Sequence, residues 1–150
     1  MEYSWVGSRL VTLGVIIVER SEEVVGRSRF VRVGIVGTEL KYWIGTLRIA
    51  RVREFLRGLL RTLKMVYGSR LVVVCRTGDE LTVEFASYCR VRYEYCGGLG
   101  LGYRANDLDL IVRSCDIVYC IEPYDRHLWD TRYVVSIARS LGRRVYLIRL

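Results

Sequence analysis

The sequence predicts an α/β fold of the Rossmann-like type, a three-layer sandwich in which helices cover both faces of a mainly parallel five-stranded sheet. The chain has 150 residues, of which 51% are hydrophobic and 27% charged, so one domain with a substantial core is expected. From residue 31 onward, short runs rich in Val and Ile alternate with segments of helical apolar spacing. This alternation is typical of parallel strands joined by helical crossovers.

Each element follows from its local pattern. Residues 1–30 contain a β-rich run at 10–19 and are expected to form an N-terminal β extension of a single domain spanning residues 1–150. The helix predicted over 47–66 keeps its apolar residues on one side, and Gly68 ends it. The other predicted elements are strands at 31–36, 71–75, 91–96, 116–121 and 144–150 and helices at 79–88, 106–114 and 131–141.

The composition limits the setting and the partners. The chain has 24 basic and 16 acidic residues, a net charge of +8, and its basic residues are almost all Arg. Because Arg binds phosphate through two parallel hydrogen bonds, this excess permits a polyanionic partner. The longest apolar stretch, residues 10–18, is about half of the ~20 residues that a membrane span needs, so we expect a cytoplasmic protein with no membrane partner. Many charges and few amide side chains are typical of a thermophile.

The cysteines and the single histidine predict neither a metal site nor a cofactor. Five cysteines leave at least one thiol without a partner within a monomer, and no Cys-x-x-Cys occurs. Cys115 and Cys120 flank a predicted strand, where five residues at ~3.3 Å each place them ~16 Å apart, too far to bridge. With His127 as the only histidine, the ligand set of a zinc site is missing.

The strand order predicts where a ligand binds. In open parallel sheets, ligands lie beyond the carboxyl ends of the strands, at the point where the strand order reverses. This rule selects the loops at 37–45 and 122–130. In the first loop, Gly37 permits close approach of the backbone, Thr38 offers a hydroxyl donor and Glu39 accepts from a ribose hydroxyl; an ordinary strand-ending turn is the alternative.

The loop at 76–79 lies at the same edge. Thr77 and Glu80 have the spacing of a capping box, in which both side chains satisfy backbone amides at a helix start. Gly78 and Asp79 follow the strand directly, and Asp79 is alternatively a ribose ligand or a general base.

Further candidates stand near two other predicted helix starts. Arg104 suits a phosphate, whereas Asn106 suits the N-cap of the helix at 106–114. Thr131 begins the next helix, whose amide dipoles favour an anion. The glycines within 97–102 form a lid or a flexible turn, but their spacing does not match a dinucleotide-binding fingerprint.

The loop at 122–130 concentrates ionisable side chains. A carboxylate beside the only histidine is suited to acid–base chemistry, and a solvated charged loop is the alternative. Tyr124 and Trp129 either stack on a base or fill the loop's own small core. The ionisable residues are Glu122, Asp125, Arg126, His127 and Asp130.

The long helix carries a basic face. Arg53, Arg57, Arg61 and Lys64 follow one another at helical spacing. This is either a solvated helix face or a surface that contacts nucleic-acid phosphates, in which case binding weakens steeply with salt.

Three segments, in their order along residues 31–150, carry a resemblance to a known superfamily. VGIVGTE is a strand that runs into a Gly-Thr turn, LVVVCRTGDELTVEFA joins a strand to a helix, and RANDLDLIVRSCDIVYCIEP joins a helix to a strand. Together with the closing DTRYVVSIARSLGRRVYLI, they resemble the SLOG group of Rossmann-like domains. That group includes the DNA-processing protein A fold and the lysine-decarboxylase-like phosphoribohydrolases.

The resemblance implies binding of a nucleotide or a nucleotide-derived ligand. It also implies hydrolysis of an N-glycosidic or phosphoribosyl bond, with Glu122 or Asp79 as the catalytic carboxylate. The chain departs from the phosphoribohydrolases where their Pro-Gly-Gly-x-Gly-Thr-x-x-Glu loop corresponds to Pro123 and the seven residues that precede Thr131. The expected ligand-binding residues are Gly37, Thr38, Glu39, Thr77, Gly78, Asp79, Arg104, Asn106, Glu122, Asp130 and Thr131.

Two alternatives to a nucleotide-binding protein remain open. One is a nucleic-acid-binding module that uses the basic helix face. The other is a non-catalytic structural or oligomeric protein with an idle pocket, for example a homodimer formed through the N-terminal strands or an exposed helix face.

Overall fold

Strands and helices alternate along the part of the chain that a computed structural model describes, residues 2–4, 30–45, 47–96 and 104–150. Residues 2–4 and 104–106 are described by their backbone alone. The predicted strand at 10–19 and the glycines within 97–102 lie outside the described residues. The strands are β1 (Glu2–Ser4), β2 (Val31–Val36), β3 (Leu71–Arg76), β4 (Arg92–Cys96), β5 (Ile117–Glu122) and β6 (Arg144–Arg149). The helices are α1 (Leu40–Trp43), α2 (Ile49–Tyr67), α3 (Glu80–Tyr88), α4 (Arg104–Ser114) and α5 (Trp129–Ser140).

The sheet has the order β1-β6-β5-β2-β3-β4. Strands β2 to β6 are all parallel, which confirms the predicted five-stranded parallel sheet, and β1 adds antiparallel to β6. Strand β2 pairs on one side with β3 and on the other with β5, in the registers Val33↔Val73 and Val33↔Ile117. The strand order therefore reverses between β2 and β5, as the sequence predicted.

Each face of the sheet is covered by a pair of helices. On one face α2 and α3 bury a core that includes Leu56, Leu60 and Phe85, and on the other α4 and α5 bury Ile111 and Val134. The apolar positions of α2 recur every three or four residues, so they all fall on the side that the sheet covers. Within the described ranges, no helix combines the length and the apolar character needed to cross a bilayer.

Several helix starts differ from those predicted. The N-cap of α3 is Asp79, whose carboxylate accepts from the Thr82 amide, while Thr77 is exposed, so the capping box predicted on Thr77 and Glu80 is wrong. Asn106 is not an N-cap either, because α4 already begins at Arg104. Helix α5 begins at Trp129, which places Thr131 inside its first turn. The short helix α1 was not predicted.

Candidate functional site

Gly37 brings the ends of β2 and β5 together. Its φ of +96° is a left-handed conformation that favours glycine, and a Cβ there would lie 1.9 Å from the carbonyl oxygen of Ile121. The Gly37 carbonyl accepts a hydrogen bond of 2.8 Å from Nε1 of the buried Trp43, which fixes α1 beside the turn. The close backbone approach expected of Gly37 is therefore made to a neighbouring strand of the protein itself.

Thr38 and Asp79 form a buried polar contact between the end of β2 and the start of α3. The Thr38 hydroxyl donates to Oδ2 of Asp79 at 2.6 Å, and the Thr82 amide donates to Oδ1 at 3.2 Å. Burial raises the pKa of the Asp79 carboxyl above its ordinary value, although the hydrogen bonds from Thr38 and Thr82 act in the opposite direction. Asp79 thus holds two elements together, with both of its oxygens engaged inside the protein.

Arg76, the last residue of β3, is the centre of a charge network that the sequence analysis missed. Its Nη1 lies 3.0 Å from Oε1 of Glu39 and 2.9 Å from Oδ2 of Asp130. Its Nη2 lies 3.8 Å from Oδ2 of Asp107 on α4. The Tyr42 hydroxyl donates to the same oxygen of Asp130 at 2.9 Å. One nearly buried cation therefore neutralises carboxylates from three separate segments.

Glu122, at the end of β5, is fully buried and accepts from groups on all sides. Burial alone would raise the pKa of its carboxyl, but hydrogen bonds and a nearby guanidinium together hold that pKa below its ordinary value. Its Oε2 accepts from the amide of Leu128, so the protein's own carboxylate occupies the start of α5, where a phosphate was expected beside Thr131. The neighbours are Thr131 Oγ1 at 2.7 Å, Leu128 N at 3.2 Å, Arg132 Nη2 at 2.8 Å, His127 Nδ1 at 3.1 Å and Arg149 Nε at 3.3 Å.

A cleft of about 240 Å³ opens between the loops that follow β2 and β5. Three cationic side chains line it, Lys41, Arg48 and Arg126, and Asp125 is the only carboxylate in its lining. Arg48 pairs with Asp125 at 2.9 Å, and Arg126 donates to the Tyr42 carbonyl at 2.7 Å. We call this the switch-point cleft. The sequence does contain a signal for this cleft, because basic residues occur in or just after both loops that the strand-order rule selects.

The predicted site residues do not all meet. Gly37, Thr38, Glu39, Asp79, Glu122, Asp130 and Thr131 are grouped near the ends of β2, β3 and β5, but none of them lines the switch-point cleft. Thr77 and Gly78 are exposed, and Gly78 and Asp79 line a separate hollow of about 400 Å³ beside Tyr95 of β4. The side chains of Arg104 and Asn106 lie outside the described part.

The basic face of α2 is largely engaged with α3. Arg53 forms a bidentate pair with Glu84, at 3.0 and 2.7 Å, and Lys64 donates to the carbonyl of Cys89 at 2.6 Å. The Arg57 guanidinium lies 5.8 Å from the centre of the Phe85 ring. Of the four cations proposed to meet nucleic acid, three therefore contact α3 or the residue that directly follows it.

Burial raises the thiol pKa of four cysteines, Cys75, Cys96, Cys115 and Cys120. All five are free thiols, and burial raises the pKa of Cys75 and of Cys115 to about 12, so both stay protonated near neutral pH. Among the residues placed by the structure, no group of three or more His, Cys, Asp or Glu side chains is arranged to hold a metal ion.

Comparison with known proteins gives no match: no family model, no curated protein and no solved structure is similar to the chain.

Proposed function

We propose that the chain binds a phosphate-bearing nucleotide, or a ligand derived from one, in the switch-point cleft. The observation that carries this proposal is the set of three cations, Lys41, Arg48 and Arg126, between the loops that follow β2 and β5. Open parallel sheets hold their ligands at this position, and the forked guanidinium of Arg matches the oxygens of a phosphate. The resemblance of the sequence to the SLOG group points to the same class of ligand.

The charge of the cleft favours an anion. Its lining has three cations and one carboxylate, and Lys41 also pairs with Glu39, which does not line the cleft. Each guanidinium has five N–H donors, so Arg126 keeps donors for a ligand while it binds the Tyr42 carbonyl. The volume is below the ~300–1,000 Å³ of typical small-molecule sites. A phosphate and its sugar would fill the cleft, and a base would extend beyond it.

Glu39 orients a cation of the cleft. Its Oε2 lies 3.1 Å from the ammonium of Lys41, which lines the cleft, while its Oε1 binds Arg76. Glu39 itself is buried and does not line the cleft, and both of its oxygens are engaged within the protein. The ribose contact that the sequence predicted for Glu39 is therefore not part of this proposal.

We propose binding without bond cleavage. The carboxylates expected to act on a sugar are Glu122 and Asp79, and the oxygens of both accept hydrogen bonds from the protein. A carboxylate that stabilises an oxocarbenium-like centre must instead face the ligand.

The proposal is tested by thermal unfolding and calorimetric titration with AMP, ADP, NAD, ribose 5-phosphate and a cyclic dinucleotide, with adenosine as the ligand that lacks phosphate. A ligand at ~100 times its dissociation constant stabilises the fold by ~2.7 kcal/mol. We expect a phosphate-bearing compound to bind and adenosine to bind at least about tenfold more weakly, a loss of ~1.4 kcal/mol.

Matched variants locate the binding. Arg126→Gln and Arg48→Gln are expected to weaken it about tenfold or more, because each removes a charged phosphate contact. Arg139→Gln, an exposed change near the far end of α5, serves as the control. The proposal is wrong if no phosphate-bearing compound binds, or if both cleft variants bind as tightly as the control.

A separate arm of the same experiment uses short single- and double-stranded DNA at low and high salt. Stabilisation by DNA alone, lost at high salt and in Arg57→Gln and Arg61→Gln, would favour the nucleic-acid-binding alternative. Hydrolysis is followed by release of free base or ribose 5-phosphate, and turnover that Glu122→Gln abolishes would contradict binding without cleavage.

A further inference from the structure

Strand β4 forms an edge of the sheet. It pairs in parallel with β3 through residues Arg92 to Cys96, and no other strand of the described residues lies on its outer side. Four of its five residues are exposed. The outward N–H and C=O groups of such a strand are a template for pairing with another chain.

Of the residues that protect sheet edges, β4 has two charged side chains but no proline or lysine. Its exposed residues alternate between charged and aromatic side chains. Arg92 and Glu94 lie on one face, and Tyr93 and Tyr95 lie on the other. The two tyrosines are 37% and 53% exposed and pack edge to face, with ring centres 5.8 Å apart. Such a strand offers both charge and apolar surface to a partner.

We propose that β4 pairs antiparallel with β4 of a second copy of this chain, around a twofold axis at Tyr93. In this register Arg92 of each copy stands opposite Glu94 of the other, so two pairs of opposite charge form across the axis. The two Tyr93 side chains meet at the centre. Opposite charges in cross-strand positions stabilise a sheet, and aromatic pairs do the same.

The charges on β4 favour an axis at Tyr93 over an axis at the next residue, Glu94. In an antiparallel pair, residues that stand directly opposite one another have their side chains on the same face of the sheet. The twofold axis must therefore pass through a residue position, where that residue meets its own copy, and not between two successive residues. An axis at Glu94 would place two carboxylates directly opposite each other, which is destabilising. The axis at Tyr93 avoids this and uses both charged residues of the strand.

Both charged side chains are held at the edge from within the chain. The Arg92 guanidinium lies 5.0 Å from the centre of the Phe30 ring, and Oε2 of Glu94 lies 2.7 Å from Nη1 of Arg32. The Glu94 side chain is still 47% exposed, so its carboxylate can also meet an Arg92 from a second copy. These contacts reduce the freedom that pairing would otherwise remove.

The test is a charge exchange followed by analytical ultracentrifugation over a range of concentrations. Arg92→Glu alone and Glu94→Arg alone each place like charges opposite one another, and each is expected to weaken the dimer about tenfold or more. The double variant R92E/E94R exchanges the charges, and it is expected to recover the part of the loss that comes from like charges across the axis, while the pair with Arg32 stays broken. Arg51→Glu, exposed on α2, is the control with the same change of net charge as Arg92→Glu.

Hydrogen exchange of the β4 amides provides the second measurement. We expect their protection to rise with protein concentration, in step with dimer formation. A monomer at all concentrations overturns the proposal, and so does a dimer that both single variants leave unchanged or that the double variant fails to restore. Protection of β4 that is independent of concentration also overturns it, because the edge would then be covered by the chain itself.

Discussion

The guanidinium of Arg76 lies 2.9 Å from the carboxylate of Asp130, although 54 residues separate them in the sequence. The contact connects the end of β3 with the first turn of α5, across the end of β2. Because Glu39 binds the same nitrogen of Arg76, one cation organises both loops beside the switch-point cleft. The Tyr42 hydroxyl reaches the same carboxylate from α1, so α1 also belongs to the network.

Arg76→Met is expected to destabilise the protein by about 3–5 kcal/mol, because it removes the cation that pairs with the buried carboxylate of Asp130 and leaves Glu39 with Lys41 alone. The measurement is equilibrium unfolding in urea. Arg113→Met, an exposed change on α4, is the control and should stay within about 0.5 kcal/mol of the parent. A loss of unfolding free energy below about 1 kcal/mol for Arg76→Met would show that the charge network does not hold the end of β3 to its neighbouring segments.

Glu122 and Asp79 are expected to give opposite pH dependences. The folded-state pKa of Glu122 is lowered, so its ionised form stabilises the fold above its unfolded pKa of ~4.3, and this stability is lost as pH falls through the folded pKa. The folded-state pKa of Asp79 is raised, so the stability that its protonation provides is present below the unfolded pKa of ~3.9 and is lost as pH rises through the folded pKa.

These signs are tested by unfolding the parent, Glu122→Gln and Asp79→Asn between pH 3 and 8. The free energy of unfolding of the parent minus that of Glu122→Gln should rise with pH in the acid range and then level off. The same difference for Asp79→Asn should fall as pH rises. If both free-energy differences rise with pH, or both fall, the environments described for Glu122 and Asp79 are wrong.

Gly37→Ala is expected to cost about 3 kcal/mol or more, because the new Cβ meets the backbone oxygen of Ile121 and cannot move away. Gly45→Ala is the matched control. Gly45 also has a left-handed φ, of +74°, but a Cβ there meets nothing within 4 Å, so only the conformational cost of ~1 kcal/mol applies. Thermal unfolding of both variants measures the difference, and equal losses would mean that the close approach of β2 and β5 is not tight.

Lys64→Met is expected to destabilise the fold by about 1 kcal/mol, since its ammonium caps the carbonyls of Cys89 and Arg90 just after α3. Arg61→Met on the same helix removes an exposed charge and should change stability by less than about 0.5 kcal/mol. Urea unfolding compares the two. If Arg61→Met destabilises the protein more than Lys64→Met does, then Lys64 is not the cation that stabilises the contact between α2 and the end of α3.

Local patterns were sufficient to predict most of the fold. Strands β2, β3 and β5 are buried runs, and α2 repeats its apolar residues over five turns, so each is recognisable without its neighbours. Helix α1 has four residues, too few to show a period. The cap of α3 was misassigned because Thr77 and Asp79 are both N-cap residue types, and only the turn between them determines which one the helix uses.

The site was only partly predictable, because its chemistry depends on contacts between distant segments. The strand-order rule located the edge, and Thr38, Asp79 and Glu122 do stand there. No local pattern distinguishes Arg76 from any other arginine at the end of a strand. Its partners Glu39 and Asp130 come close only when β3, β2 and α5 are assembled.

Glu122 also determines what kind of selectivity the neighbouring cleft can have. Rossmann-like sites commonly grip phosphate with backbone amides at a helix start, which are rigid and impose one geometry on the anion. Here the amide of Leu128 already serves Glu122, so an incoming anion would meet the long, rotatable side chains of Lys41, Arg48 and Arg126. In the proposed site, an anion would therefore be held by side-chain cations instead of by fixed backbone amides, and sulfate is expected to compete with phosphate for them.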